Sequence, residues 1–346
     1  MLAVAALQHG PTLDLRQGVP RSERHAALSG INRNVTSGRR KNIAVSVRDR
    51  LLQLARRQSE DFQLILTRYG LERLLYRLSQ SEYRDRFILK GAMLFALWDH
   101  QPYRATRDVD FLGFGDSNED AMRDTFRTLC DMAVADDGLV LHADSVRVDR
   151  IRDVMEYGGL RVTLLGELAG ARIPIQADIG FGDVVTPEPE RVEYPTLLGT
   201  PAPLLRAYPR ETVVAEKYQA LVYLGMANSR MKDFYDLWVM AQQFAFVGLT
   251  LSEAINNTFA RRKTTLPQQT PSGLSSEFGN DDQKNRQWSA FLRKGRLLST
   301  SRSPPLQEVC RSLEQFLMRP TAALIHSRAF SEHWQPGGPW ELRTAN

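Results

Sequence analysis

The sequence has 346 residues, 42% hydrophobic and 25% charged. This composition excludes a mostly disordered chain, and the length accommodates roughly one to three domains of about 100–200 residues. The formal charge of +5 suggests an anionic partner, but residues 1–41 hold seven Lys or Arg against two acids, so residues 42–346 sum to zero.

Residues 1–41 are punctuated by Gly10, Pro11, Gly18, Pro20, Gly30 and Gly38 and carry no sustained apolar period. They read as a flexible extension, or as the product of a start codon placed too early. From Ile43 the pattern turns helical: Leu51, Leu54, Phe62, Ile65, Tyr69, Leu74 and Leu78 recur near three- and four-residue spacing. Two amphipathic helices are expected, with Gly70 a kink or boundary. Phe87–Leu89 reads as a short strand or helix end, Gly91 as a tight point and Ala92–Trp98 as a buried helix. The stretch T-R-D-V-D-F-L-G-F-G (106–115) reads as a strand ending in glycines. Ser117 and Asp120 form a capping box for a helix over 118–134.

Three β-rich segments follow at 139–148, 159–168 and 171–179, then a Pro-rich extended connector over 184–210. The chain then reads as helices over 211–225, 230–244, 252–261 and 304–318, with a polar loop at 264–285. The expected division is a flexible extension (1–41), an α/β core with N-terminal helices (42–205), an α-helical domain (206–330) and a loose tail (331–346).

No apolar run approaches the roughly 20 residues of a membrane helix. The apolar start lacks a basic n-region, so a secretory signal is not expected. Two cysteines, Cys130 and Cys310, exclude a disulfide framework and fit a reducing cytoplasm. The six His lack metal-ligand spacing, and P-loop, dinucleotide-binding and nucleophile-elbow patterns are absent.

Asp108 and Asp110 alternate with Val109 and Phe111, so on a strand both carboxylates share one face. Like charges at that distance repel unless a cation sits between them, and Mg²⁺ commonly uses one or two carboxylates plus substrate phosphates. Solvated acids on a half-exposed strand are the plainer alternative. Asp178 ends a second β segment as Asp110 ends its own, and both precede glycine-flanked phenylalanines. Adjacent strands would gather three acids, as two-metal displacement at phosphorus requires, or Asp178 caps its turn. Asp116 and Asp183 read as turn residues. Only seven lysines occur. Lys217, in A-E-K-Y, could neutralise a phosphate as a point charge. Asp233 and Asp236 share a helix face beside Lys232. Alternatively, Glu216, Lys217, Lys232 and Asp236 form a solvated ion-pair lattice between surface helices. Gly91 before a helix, with Lys90 beside it, would let backbone N–H groups approach an anion.

Taken together, F-I-L-K-G-A (87–92), R-A-T-R-D-V-D-F (104–111), I-Q-A-D-I-G-F-G-D (175–183), V-V-A-E-K-Y-Q-A-L (213–221) and S-R-M-K-D-F-Y-D-L (229–237) resemble the AbiEii/AbiGii toxin family of nucleotidyltransferases. The resemblance spans roughly residues 45–320. It implies an α+β fold: a polymerase-β-like nucleotidyltransferase core with a mixed sheet, preceded by helices and followed by an α-helical domain. It implies Mg²⁺ and an NTP co-substrate, with Asp108, Asp110 and Asp178 as metal ligands. Lys90, Gly91, Ala92, Arg107, Lys232 and Asp236 would contact the nucleotide. Asp108, Asp110, Lys217 and Asp233 would carry catalysis, with Asp233 or Asp178 completing the metal site or accepting the acceptor's proton. Ala92 departs from the family's Gly-Ser or Gly-Gly, so phosphate contact there rests on backbone N–H groups.

Such proteins look like toxins of type IV toxin–antitoxin and phage-defence systems, and some resemble enzymes that add nucleotides to the tRNA 3′ end and stop translation. The expected partners are therefore an NTP, tRNA and a cognate antitoxin, in the cytoplasm and without a membrane. A protein or small-molecule acceptor, or a non-catalytic nucleotide-binding module, is the alternative.

Overall fold

The structure is a computed structural model that describes residues 42–99, 106–151, 158–295, 297 and 304–342. The expectation for residues 1–41 lies outside the described residues.

The chain enters through α1 (42–58) and α2 (Phe62–Gln80). Asp61 caps α2, its side chain accepting from Leu64 N–H at 3.0 Å and satisfying one of the helix's orphan donors. Gly70 does not break α2. A Cβ there would lie 2.9 Å from the Ile173 side chain, so glycine lets the helix settle onto the sheet. The expected capping box is replaced by an Asn118 cap on α4 (Glu119–Asp131), whose side chain accepts from Asp120 and Ala121 N–H. The expected helix over Ala92–Trp98 is a 3-10 turn, Gly91–Leu94, followed by the short α3 (Phe95–Asp99).

Seven strands form one mixed sheet: β1 (Phe87–Lys90), β2 (Asp108–Gly113), β3 (Val140–Ile151), β4 (Gly159–Leu168), β5 (Ala171–Phe181), β6 (Glu190–Glu193) and β7 (Leu204–Ala207). Their order is β3-β4-β5-β2-β1-β7-β6. The β2–β5 and β1–β7 pairs are parallel and the others antiparallel. Alternation sorts each strand by face. Ile173, Ile175, Ala177 and Ile179 of β5 are buried with Val109 and Phe111 of β2, while Gln176, Asp178, Asp108 and Asp110 take the opposite face. The apolar face carries α2 and α4, and burial of this large-residue set is the main stabilising term.

The second half is helical: α5 (Arg210–Leu224), α6 (Met231–Gln243), α7 (Gly248–Arg261), α8 (Ser276–Asn280), α9 (Asp282–Lys294) and α10 (Leu306–Ile325). The stretch read as a polar loop over 264–285 contains α8 and the start of α9, capped by Ser275 and Asp281. The tail is not loose over 332–342. There β9 (Glu332–Trp334) pairs with β10 (Trp340–Leu342) and with the short β8 (Phe246–Val247). Trp334 and Trp340 are buried, their indole N–H groups donating to the Ala241 and Phe316 carbonyls at 2.7 and 2.9 Å. Amphipathic Trp rings with satisfied N–H groups anchor a short segment well. Among the described residues no helix is long and apolar enough to cross a membrane.

Candidate active site

The parallel pairing of β2 with β5 sets Asp110 directly opposite Asp178, and Asp108 opposite Gln176. The antiparallel neighbours extend the row: Lys90 of β1 stands opposite Asp110, and Arg161 of β4 opposite Asp178. One line of residues across four strands therefore reads cation, acid, acid, cation. Arg161 grips Asp178 with two parallel bonds, Nε to Oδ1 at 2.8 Å and Nη2 to Oδ2 at 2.7 Å, and Gln176 adds a third at 3.2 Å. Asp108 Oδ1 accepts from the Thr106 hydroxyl at 2.6 Å.

Asp110 is half-buried and carries the uncompensated charge. Burial first, and the neighbouring Asp108 carboxylate second, push its carboxyl up to about 6, although Lys232 and Lys90 pull the other way. Gly91 explains how the acid fits. Its φ is +77°, and a Cβ there would lie 1.9 Å from Asp110 Oδ2. Only glycine lets the backbone pass the carboxylate, and only glycine adopts this left-handed φ without strain. The Gly91 requirement is thus set by Asp110.

Asp110 and Asp178 line one side of a cleft of about 310 Å³, and Asp108 and Arg161 lie outside its lining. Helices α5 and α6 contribute Lys217, Arg230, Lys232 and Asp233 to the lining. The expected alternative of a solvated lattice between surface helices does not match the burial. Asp233 and Asp236 are 0% and 1% exposed, and Lys217 Nζ bonds both, at 2.6 and 2.9 Å. Arg230 Nε adds a bond to Asp233 Oδ2 at 2.6 Å. Burial alone would raise the Asp233 carboxyl, but Lys217 and Arg230 hold it down at about 2. At that value Asp233 is a poor proton acceptor, and its geometry makes it a support for Lys217. Asp236 lies beneath Lys217 and does not line the cleft. Arg107 is exposed and also absent from the lining, while Lys232 is exposed and present.

A second ionic cluster closes another part of the wall. Lys90 Nζ reaches Asp183 at 3.0 Å and Glu216 at 3.3 Å, and Arg262 reaches the same two acids at 2.9 and 3.3 Å. Tyr208 donates to Glu216 at 3.1 Å. Burial would depress the Lys90 ammonium, yet Glu216 and Asp183 hold it above its ordinary range. Asp183 is therefore more than the turn residue that its glycine-flanked setting suggests: it joins β1 and the end of β5 to the helical half. Arg161, Asp183 and Arg262 were not legible as site residues. The alternation of Arg161 and Thr163 with Leu160, Val162 and Leu164 marks a strand, but only the register names its partner.

The acids that could hold a cation differ in their partners. Among the described residues no group of three or more His, Cys, Asp or Glu is disposed to hold a metal ion. Both Asp178 oxygens accept bonds from Arg161, so this acid's charge is already met by a cation. Asp108 and Asp110, two hard carboxylates on one strand face with excess negative charge, fit a divalent ion that takes its remaining ligands from phosphate and water.

A family model described as "Nucleotidyl transferase AbiEii toxin, Type IV TA system" matches residues 73–317. The chain belongs to this family. The protein is accordingly a nucleotidyltransferase of the AbiEii toxin group, and its co-substrate is a nucleoside triphosphate. No curated protein sequence matches it. Among solved structures, JHP933 from Helicobacter pylori is similar over 77% of this chain and 98% of its own, at 13% identity and a TM-score of 0.44. A second H. pylori protein, assigned as a nucleotidyltransferase, shares 14% identity over 77% of this chain and 96% of its own, with a TM-score of 0.43.

Proposed function

We propose that this AbiEii protein is a Mg²⁺-dependent toxin that transfers a nucleoside monophosphate from an NTP to the 3′ end of tRNA and so blocks translation. The observation that carries the transfer chemistry is the opposition within one cleft of the Asp110 row and the cations Lys217, Arg230 and Lys232. Acids can hold a metal while cations take phosphate oxygens, which is what phosphoryl chemistry needs from a protein.

Asp108 and Asp110 would hold Mg²⁺, which when bound would neutralise charge on the triphosphate and the departing pyrophosphate. Lys217, fixed from below by Asp233 and Asp236, and exposed Lys232 meet the phosphates. Backbone N–H groups at Gly91 and Ala92 add donors, since Ala92 has no hydroxyl. The acceptor oxygen attacks the α-phosphorus, the bond to pyrophosphate breaks, and the hydroxyl proton passes to water. Neither Asp233 nor Asp178 is assigned as a base, because each is held by cations on both oxygens. Positioning and electrostatics supply the acceleration. In the cell the protein would act in phage defence, restrained by a cognate antitoxin.

The test is incubation with each α-labelled NTP, Mg²⁺ and total tRNA. Label on RNA supports the proposal. Label on protein or on a small molecule moves the acceptor, and binding of NTP without any transfer would reduce the cleft to a binding module.

A further inference from the structure

The polar face of the sheet continues past Asp178. The row that holds Asp110, Asp178 and Arg161 runs on to Asp149 of β3, and the row below it reads Asp108, Gln176, Thr163, Arg147. Leu160, Val162 and Leu164 of β4 point the other way, into the core. Arg147 and Asp149 are exposed, and Arg161 and Thr163 are partly so, so the sheet face over β3 and β4 is open to solvent. An antiparallel sheet tolerates one wet face. Gly91, which follows β1, lies on one flank of the two acids. Arg161 stands on the other, one strand spacing of about 5 Å beyond Asp178 and two beyond Asp110.

Arg161 lies outside the cleft lining and, like Arg230 at 48%, is a solvent-accessible cation bonded to a more buried acid. Its side chain is 43% exposed although both ends of Asp178 are bonded to it. The bonds to Asp178 use Nε and Nη2, the side-on edge of the guanidinium. A guanidinium has five N–H donors in a planar fork, so the edge formed by Nη1 and the second Nη2 hydrogen suits a further anion. Asp178 fixes the fork in advance, which lowers the entropy lost on binding that anion.

We infer that Arg161 receives the phosphate of the acceptor's terminal nucleotide. The acceptor then enters across the open β4–β3 face, while the NTP occupies the flank bounded by Gly91 and the helical cations. This inference rests on the proposed nucleic-acid acceptor. In an RNA 3′ end the last phosphate lies one ribose away from the attacking hydroxyl, which matches an anion site beside the acid row. The body of the protein from residue 42 onward has no net charge, so a polyanion must be held by cations arranged locally at the site.

The experiment uses the full chain and a 5′-fluorescein RNA hairpin with a free 3′ hydroxyl, either unmodified or with an uncharged methylphosphonate replacing the last internucleotide phosphate. Binding is read by anisotropy and transfer by gel, for wild type, Arg161→Gln and Arg161→Lys. Arg161→Gln should weaken hairpin binding about tenfold, the scale of one charge-assisted phosphate contact, and by more than any change in KM for NTP that follows from releasing Asp178. Arg161→Lys, which keeps the charge and loses the fork, should fall between. The methylphosphonate should weaken wild type by a similar factor and cost Arg161→Gln nothing more, because both changes remove the same contact.

Equal hairpin affinity of wild type and Arg161→Gln, no hairpin binding by wild type, or an undiminished methylphosphonate penalty in Arg161→Gln would each overturn the inference. So would a change confined to NTP KM or kcat, since that is the signature of a residue that only holds Asp178. Arg161-dependent binding without transfer refutes the proposed function and leaves this site standing. Transfer with Arg161-independent binding does the reverse.

Discussion

Replacing Lys217 by Met tests whether the charges under the cleft are a buried unit. The substitution roughly keeps the side chain's length and removes its ammonium, leaving Asp233 and Asp236 at 0% and 1% exposure without the cation that bonds both. Breaking a buried pair from one side costs about 3–5 kcal/mol, and Arg230, still 2.6 Å from Asp233, argues for the lower end. The pH dependence has a definite sign. The folded Asp233 carboxyl lies at about 2 against an ordinary 3.8, which corresponds to about 2 kcal/mol of stability. That contribution is complete above pH ~4 and is lost as pH falls through the folded value. Urea unfolding followed by Trp fluorescence at pH 7.5 and pH 4 gives the numbers. The gap between wild type and Lys217→Met should be about 3 kcal/mol at pH 7.5 and narrower at pH 4. In the variant, burial acts on an Asp233 carboxyl that has lost Lys217, so it takes up a proton at mildly acidic pH and sheds part of its penalty. Adding Asp233→Asn should recover part of the gap. A pH-independent gap below about 0.5 kcal/mol would show the pair to be surface decoration and refute the reasoning.

Asp110→Asn should act in the opposite direction. A carboxyl raised to about 6 burdens the metal-free fold above that pH and not below the unfolded value, so the variant should gain about 1–3 kcal/mol at pH 7.5 and nothing near pH 3.5. Thermal unfolding should also show that Mg²⁺ stabilises wild type and not this variant. Gly91→Ala should lose activity and at least about 1–2 kcal/mol, because it combines a positive φ with a Cβ 1.9 Å from Asp110 Oδ2; unaltered transfer would contradict that geometry. Trp340→Ala should cost about 3–5 kcal/mol in chemical unfolding, since the ring stacks on Phe316 at 5.9 Å and its N–H bonds the Phe316 carbonyl; a loose tail would show no effect.

Much of this architecture is readable before any coordinates. The alternation in D-V-D-F and in R-I-P-I-Q-A-D-I places both acids on the face away from the core, because period two is a local property of a strand. The helices around Lys217 and Asp233 follow from local apolar spacing in the same way. What resisted reading depends on partners distant in sequence. Arg161 and Asp178 are seventeen residues apart and meet only because of the β4–β5 register. Asp183 looks like a turn acid until Lys90 and Arg262 arrive from β1 and the end of α7. Gly70 resembles a helix breaker, yet its cause lies on β5, where Ile173 and Ile175 need the space. Trp334 and Trp340 flank a Gly-Gly-Pro turn near the end of the sequence, and nothing local reveals that they pack on α10.

The most direct test of the account is transfer of α-labelled nucleotide to tRNA by wild type, Asp108→Asn and Asp110→Asn side by side, with folding checked by circular dichroism. Wild type with Mg²⁺ should place label at the tRNA 3′ end, and neither folded variant should. Undiminished transfer by a folded Asp110→Asn protein would contradict it.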